Sequence, residues 1–135
     1  MKRTLTAFLL ILFAGCCKEI CIGGEVTISF EKFKASETTR VVFVRYPPGS
    51  TQSMDSFSVL SIVPVGDTSR SAVSQNITVD YDWIVRLPAL NREYNLANFD
   101  FTTEKCNCTG DKYKLVNSFT VNGQRKEGDF IRLEK

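Results

Sequence analysis

The sequence predicts an all-β protein: an antiparallel β-sandwich of immunoglobulin-like architecture, with about seven or eight strands following an N-terminal signal peptide. Three observations predict it. From Glu25 onward the apolar residues recur with a period of two rather than 3.6. Turn-forming residues (Pro47-Pro48-Gly49, Pro64, Gly66-Asp67, Pro88 and Asn122-Gly123) cut the chain into short segments. No long stretch after the signal carries an apolar stripe at helical spacing.

The elements follow in order. Val26, Ile28 and Phe30 alternate with Thr27, Ser29 and Glu31, the pattern of a half-buried strand. Arg40 to Tyr46 is rich in Val and stops at Pro47-Pro48-Gly49. Gly49 to Ser56 is polar and reads as a loop, and Phe57 to Val63 reads as a third strand closed by Pro64. Gln75 to Val79 is a shorter strand. In the next, Trp83, Val85 and Leu87 point one way and Ile84 and Arg86 the other, until Pro88 ends it. Trp83 is expected in the core. Tyr94 to Thr103 is extended, with Phe99 and Phe101 on one face. Tyr113 to Val121 runs into Asn122-Gly123, the dipeptide most typical of a type I′ hairpin turn. The last strand holds Phe130, Ile131 and Leu133.

Before these strands lies a targeting segment. Lys2 and Arg3 precede an apolar run from Leu5 to Phe13, and Ala14 and Gly15 stand before Cys16. The run is too short to cross a bilayer as a helix, which takes ~20 residues. An ordinary secretory site wants a small residue at −3, where Phe13 would sit. Ala14-Gly15-Cys16 instead resembles the bacterial lipobox, in which Cys16 becomes the lipidated N-terminus, although Phe13 replaces the usual Leu. The expected division is 1–15 signal peptide, 16–24 lipidated tether and 25–135 a single sandwich domain. Of the 17 basic residues the segment takes two and no acid, so 15 remain against 15 acids. A mature chain of zero formal charge, with its Lys and Arg dispersed, argues against nucleic acid as a partner.

Cys17, Cys21, Cys106 and Cys108 remain after Cys16. Outside the cytoplasm an even set is disulfide material, and four cysteines allow three connectivities. A bridge from the Cys17/Cys21 segment to the Cys106/Cys108 segment would close a loop of roughly 85–90 residues, worth at most ~4–5 kcal/mol by chain entropy. A four-thiolate metal site is the competing reading, and a Cys106/Cys108 redox pair lacks the C-x-x-C spacing.

Cys16-Cys17-Lys18-Glu19-Ile20-Cys21, the Asp82-Trp83 strand ending at Leu87-Pro88, and Cys106-Asn107-Cys108 ahead of Asn122-Gly123 resemble small uncharacterised lipoproteins of Bacteroidota. The resemblance implies a lipid-anchored β-domain at the outer membrane, on its periplasmic face or at the cell surface. Glu19 is similar to the acidic signal for surface display in that phylum. The resemblance brings no activity with it.

The chain contains no histidine, which removes Ser-His-Asp and Cys-His nucleophiles and the commonest metal ligand. Asp80 and Asp82, two apart, would share a strand face, and with Tyr81 they form a possible ligand rim. Such carboxylates bind calcium or act as an acid–base pair, but equally form a solvated strand edge. Tyr46, Tyr81 and Tyr94 are candidates for a carbohydrate platform or for packing. The expectation is a non-enzymatic, lipid-anchored envelope protein with a binding or scaffolding role and no cofactor or metal. Its partners are the membrane, through the lipid, and an envelope protein or glycan. The alternatives are a carbohydrate- or ion-binding module and a carboxylate-dependent hydrolase. A disulfide-tied start is expected beside the last hairpin, with the Pro47-Pro48-Gly49 loop at the opposite end.

Intact mass of the membrane-extracted protein, alkylated without reduction, tests the anchor and the bridges together. The expected species starts at Cys16, carries acyl mass and takes up no alkylating agent. Absence of acyl mass refutes the anchor, and alkylated thiols refute the bridges.

Overall fold

The computed structural model describes residues 23–64, 66–106 and 112–135. The expected signal peptide and tether, with Cys16, Cys17 and Cys21, and also Cys108, lie outside the described residues. Among the described residues nine strands form: β1 (Glu25–Glu31), β2 (Arg40–Tyr46), β3 (Asp55–Leu60), β4 (Ser74–Thr78), β5 (Asp82–Leu87), β6 (Arg92–Lys105), β7 (Lys112–Val121), β8 (Gln124–Glu127) and β9 (Phe130–Glu134). The only helical segments among the described residues are 3-10 turns at Ala35–Glu37 and Pro88–Leu90. Asn122 and Gly123 both take positive φ, 50° and 79°, so the Asn-Gly pair makes the expected hairpin turn.

The strands form two unequal sheets, one ordered β3-β2-β5-β6-β7-β8 and one ordered β4-β1-β9. The sandwich is therefore all-β as expected, with two departures. Gln124–Glu127 adds a ninth strand that its uniformly polar sequence concealed. The second is that β9 runs parallel to β1, in the register Thr27↔Phe130 to Glu31↔Glu134, so the sandwich is not wholly antiparallel. Gly128 and Asp129 carry the chain across from the large sheet to the small one, and Thr27 N donates to Asp129 O at 3.3 Å. That crossing delivers β9 alongside β1 in the same direction.

Period-two patterning places Val26, Ile28 and Phe30 of β1 against Val41 and Phe43 of β2, Trp83, Val85 and Leu87 of β5, and Tyr94 and Leu96 of β6 in one buried cluster. Ile131 and Leu133 join from β9. Trp83 is in the core as its strand pattern implied, and its indole N–H donates to Thr78 O at 2.9 Å, which satisfies the one polar atom it buries. The β3 strand starts two residues earlier than its apolar run and ends at Leu60. Beyond it, Ser61 to Pro64 carry no strand, although Ser61 N still bonds Thr39 O.

The β6–β7 hairpin is far longer than its neighbours. Its register shifts between Ala97 and Phe101, with Asn98 at φ 53°, and this irregularity marks a β-bulge. Bulges bend the strand that holds them. Beyond it Phe99 packs on Phe119, Phe101 lies beneath the Lys114 ammonium, and Val116 is buried. Gly24 N then donates to Lys114 O at 2.9 Å, so the arm of the hairpin reaches the start of the small sheet. A Cβ on Gly23 would lie 2.7 Å from Lys114 O, so that close approach requires glycine.

The start of the domain and the Pro47-Pro48-Gly49 loop are at the same end of the sandwich, which corrects the expectation that they lie at opposite ends. Val79 N bonds Gly24 O, the 79–81 turn leads into Asp82, and Gly49 N donates to Asp82 Oδ2 at 2.8 Å. The reason is strand parity: β2 and β4 both run toward the end where β1 begins. The neighbour of the domain start is likewise the β6–β7 arm, not the Asn122-Gly123 hairpin.

At the other end, the Glu37 carboxyl accepts from Lys34 N at 2.9 Å and pairs with Lys135. The hydrogen bond from Lys135 and the one from the Lys34 backbone hold its pKa below the ordinary 4.5. A depressed carboxylate contributes stability that is fully present above its unfolded value and is lost as pH falls through the lower folded value. Glu37→Gln should therefore lower the melting temperature at neutral pH, with the gap to wild type closing as pH drops below 4.5. A gap that persists unchanged into acid would show that the carboxylate's charge is not what the contact uses. Phe43→Ala removes a ring of zero exposure stacked 5.0 Å from Phe57, and should cost about 3–5 kcal/mol in urea unfolding. A loss under ~1 kcal/mol would mean that the site collapses around the cavity.

Candidate functional site

The expected rim residues are near one another along the chain but each is already engaged. Asp80 lies in the turn between β4 and β5 and pairs with Lys114. Asp82 opens β5 and accepts the Gly49 N–H. Tyr81 lies under the Arg45 guanidinium, 4.6 Å from its carbon to the ring centroid. Arg45 in turn bonds Asp55 at 2.9 Å through Nε, and that hydrogen bond raises the guanidinium pKa further. The two acids thus face different partners: Asp80 the β6–β7 arm, Asp82 the Pro47-Pro48-Gly49 loop. The turn interrupts the strand periodicity that would have put them on one face.

Tyr46, Tyr81 and Tyr94 do not meet on one platform. Tyr46 is paired with Asp82 at the end of β2. Tyr94 is buried, and its hydroxyl donates to Glu134 O at 2.5 Å, tying the large sheet to β9. Burial pushes its phenol pKa up, opposed by the neighbouring Arg92.

Among the described residues, grooves that contain neither Asp80 nor Asp82 flank the small sheet. One of about 720 Å³ runs between the β7–β8 hairpin and β9, with Phe119 and Leu133 at its floor and Lys126 and Arg132 on its walls. The other, about 660 Å³, lies between the end of β1 and the 70–74 segment. Among the described residues no three His, Cys, Asp or Glu side chains are grouped to hold a metal ion, and no helix is long and apolar enough to cross a membrane. Cys106, just past β6, is buried and is one half of a disulfide. Cys17, Cys21 and Cys108 are outside the described residues, and the three connectivities stay open.

Compared with known protein families, with curated proteins and with solved structures, the chain matches none. The site must therefore be read from this chain alone.

Among the described residues the most exposed large apolar side chains lie on β3 and just after it, with Leu115 and Phe130 exposed elsewhere. Ser56 and Ser58 are exposed, Phe57 is 41% exposed, Leu60 is 73% exposed, and Ile62 is fully so. Phe57 stacks on Phe43 and meets Trp83 edge-on at 6.1 Å, which continues the core aromatics out to the sheet edge. The three-stranded sheet is too narrow to cover the whole of a six-stranded face. Sequence reading missed this surface because Phe57 and Val59 alternate as a half-buried strand should, and nothing local tells an edge from a centre. The one available signal was the continuation of the apolar run to Ile62 and Val63, past the end of the strand.

Proposed function

We propose that this chain is a non-enzymatic, lipid-anchored envelope protein that holds a β-sandwich at a membrane and binds a partner on the surface turned away from its anchor. The observation that carries the reading is the polarity of the molecule. Gly23 and Gly24, the first described residues after the Cys16 tether, pack on Lys114 at one end. Leu60 and Ile62, the most exposed large apolar residues, follow β3 to the other end, where Arg40 pairs with Leu60. Exposed apolar residues in a cluster mark an interaction surface more often than scattered ones do. The balanced charge of the mature chain, its lack of histidine and the internal pairing of Asp80 and Asp82 support a binding role over catalysis.

The proposed bridge joins Cys106 to the segment that precedes Gly23. Gly24 follows Cys21 by three steps along the chain, a reach of ~10 Å. Gly24 lies against Lys114, two residues along β7 from Lys112, which pairs with Lys105 next to Cys106. Such a bridge closes the tether onto the β6–β7 arm and fixes the direction in which the domain leaves the membrane.

Two measurements test this reading. Cys16→Ser should move the protein from the membrane to the soluble fraction; a wild-type chain that is itself soluble overturns the anchor. Cys21→Ser and Cys106→Ser should each lower the melting temperature under oxidising conditions and change it little under reducing ones. Equal losses in both conditions would assign those cysteines to packing rather than to a bridge.

A further inference from the structure

We propose that the end of the sandwich away from the chain's entry is a membrane-touching tip, where Leu60 and Ile62 enter an anionic lipid surface and Lys34, Arg40 and Arg70 meet its head groups. The inference deepens the envelope reading by naming the partner, and rests on that reading only for which end faces outward.

Two loops build the tip. The segment after β3 is fastened at both of its ends to the segment after β1. Ser61 N donates to Thr39 O at 2.9 Å; farther on, Ala35 N donates to Ser69 O at 2.8 Å and Ser71 N to Phe33 O at 2.9 Å. Thr38, fully buried, adds a hydroxyl bond to Ser71 at 2.7 Å. Between these fastenings Asp67 N closes a turn onto Pro64 O. The loop is thus held at its base, and Ile62 stands fully exposed beyond it, next to the exposed Leu60.

The same fastenings set cations beside the apolar pair. Arg40 is the register partner of Leu60, and Lys34 faces Arg70 in a bridge between the two loops. All three are exposed, and the ion pairs among the described residues engage none of them. The acids of these loops have other partners. Glu37 accepts from Lys34 N and is paired with Lys135, and Asp67 accepts from Ser69 N at 2.7 Å. Against three unpaired cations the two loops hold one carboxylate outside an ion pair, Asp67, so the tip is net positive.

Charge and shape together choose the occupant. Like charges facing each other across strands repel, and an anionic surface relieves that repulsion between Lys34 and Arg70. A side chain as exposed as Ile62 has no wall of its own chain around it, so it offers a protein partner no pocket. A fluid lipid surface closes around such a protrusion, and basic residues beside it hold it at anionic head groups. The opposite end lacks this pairing: Met54 is exposed there, but it adjoins Asp55, and Asp80 and Asp82 stand at that end too. With the chain entering at that opposite end, the lipid met by the tip is a second surface, facing the one that holds the anchor.

The test reconstitutes the full mature protein through its anchor into phosphatidylcholine vesicles and reads its capture of separate, labelled vesicles. At about 0.01 M salt, where charges act over ~30 Å, labelled vesicles that are half phosphatidylglycerol should be captured. Labelled vesicles of phosphatidylcholine alone should need roughly tenfold more lipid, or greater, for half-capture. At about 1 M salt, where the range is ~3 Å, the two should become alike. Arg40→Gln with Arg70→Gln should raise the anionic lipid needed roughly 25-fold, since each basic residue near such a surface contributes about fivefold. Leu60→Ser with Ile62→Ser should raise it roughly tenfold or more. Both pairs replace exposed side chains and should keep the melting temperature; should one pair unfold, the other decides. Equal capture of neutral and anionic vesicles at low salt, or undiminished capture by either folded pair, would overturn the proposal. So would binding of polyglutamate without capture of any vesicle, which assigns the cations to an acidic protein. A chain without acyl mass on Cys16 is tested free in solution by flotation with the same vesicles. Binding there removes the anchor and keeps the tip, whereas an acylated chain that captures nothing keeps the anchor and removes the tip.

Discussion

The inequality of the two sheets governs the rest of this molecule. Six strands present an inner face to only three, so burial is complete where β1 and β9 lie over β2, β5 and β6 and fails toward β3. Hydrophobic stabilisation follows the area removed from water. Val41, Phe43, Val85, Leu87 and Leu96 sit at zero exposure, while Phe57, on the same face one strand outward, keeps 41% of its surface in solvent. The apolar residues assigned to recognition lie at that boundary. The open face is what a small sheet leaves when it is asked to cover a large one.

The long β6–β7 hairpin compensates at one end. The irregularity around Asn98 marks a bend in the hairpin, and Lys114 serves three contacts there: its carbonyl accepts from Gly24, and its ammonium both meets Asp80 and lies over the Phe101 ring. Exposed ion pairs of this kind contribute little individually, ~0–1 kcal/mol. The value of Lys114 is in direction, because it fixes the first residues of the domain to the arm that carries Cys106. The chain therefore enters the sandwich at the end that carries the β6–β7 arm, opposite the end where Leu60 closes β3. The turn at Asp80 to Asp82 is spent on the same task, with both carboxylates occupied in holding the arm and the Pro47-Pro48-Gly49 loop.

The strand pattern was written in the residues themselves. Alternation placed β1, β5 and β6, a Val-rich run stopped by Pro47-Pro48-Gly49 placed β2, Asn122-Gly123 placed the tightest turn, and Trp83 was legible as core, because period-two burial and turn stereochemistry are local properties. The lipobox-like start and the missing histidine are equally local features of the sequence. What the chain could not show is how strands are ordered laterally. Whether Phe57 lies at an edge or in the centre, whether β9 runs parallel to β1, and whether Asp80 faces Asp82 all depend on contacts between residues far apart in sequence. Those are set by the packing of two sheets of unequal width, and only the tertiary structure decides them.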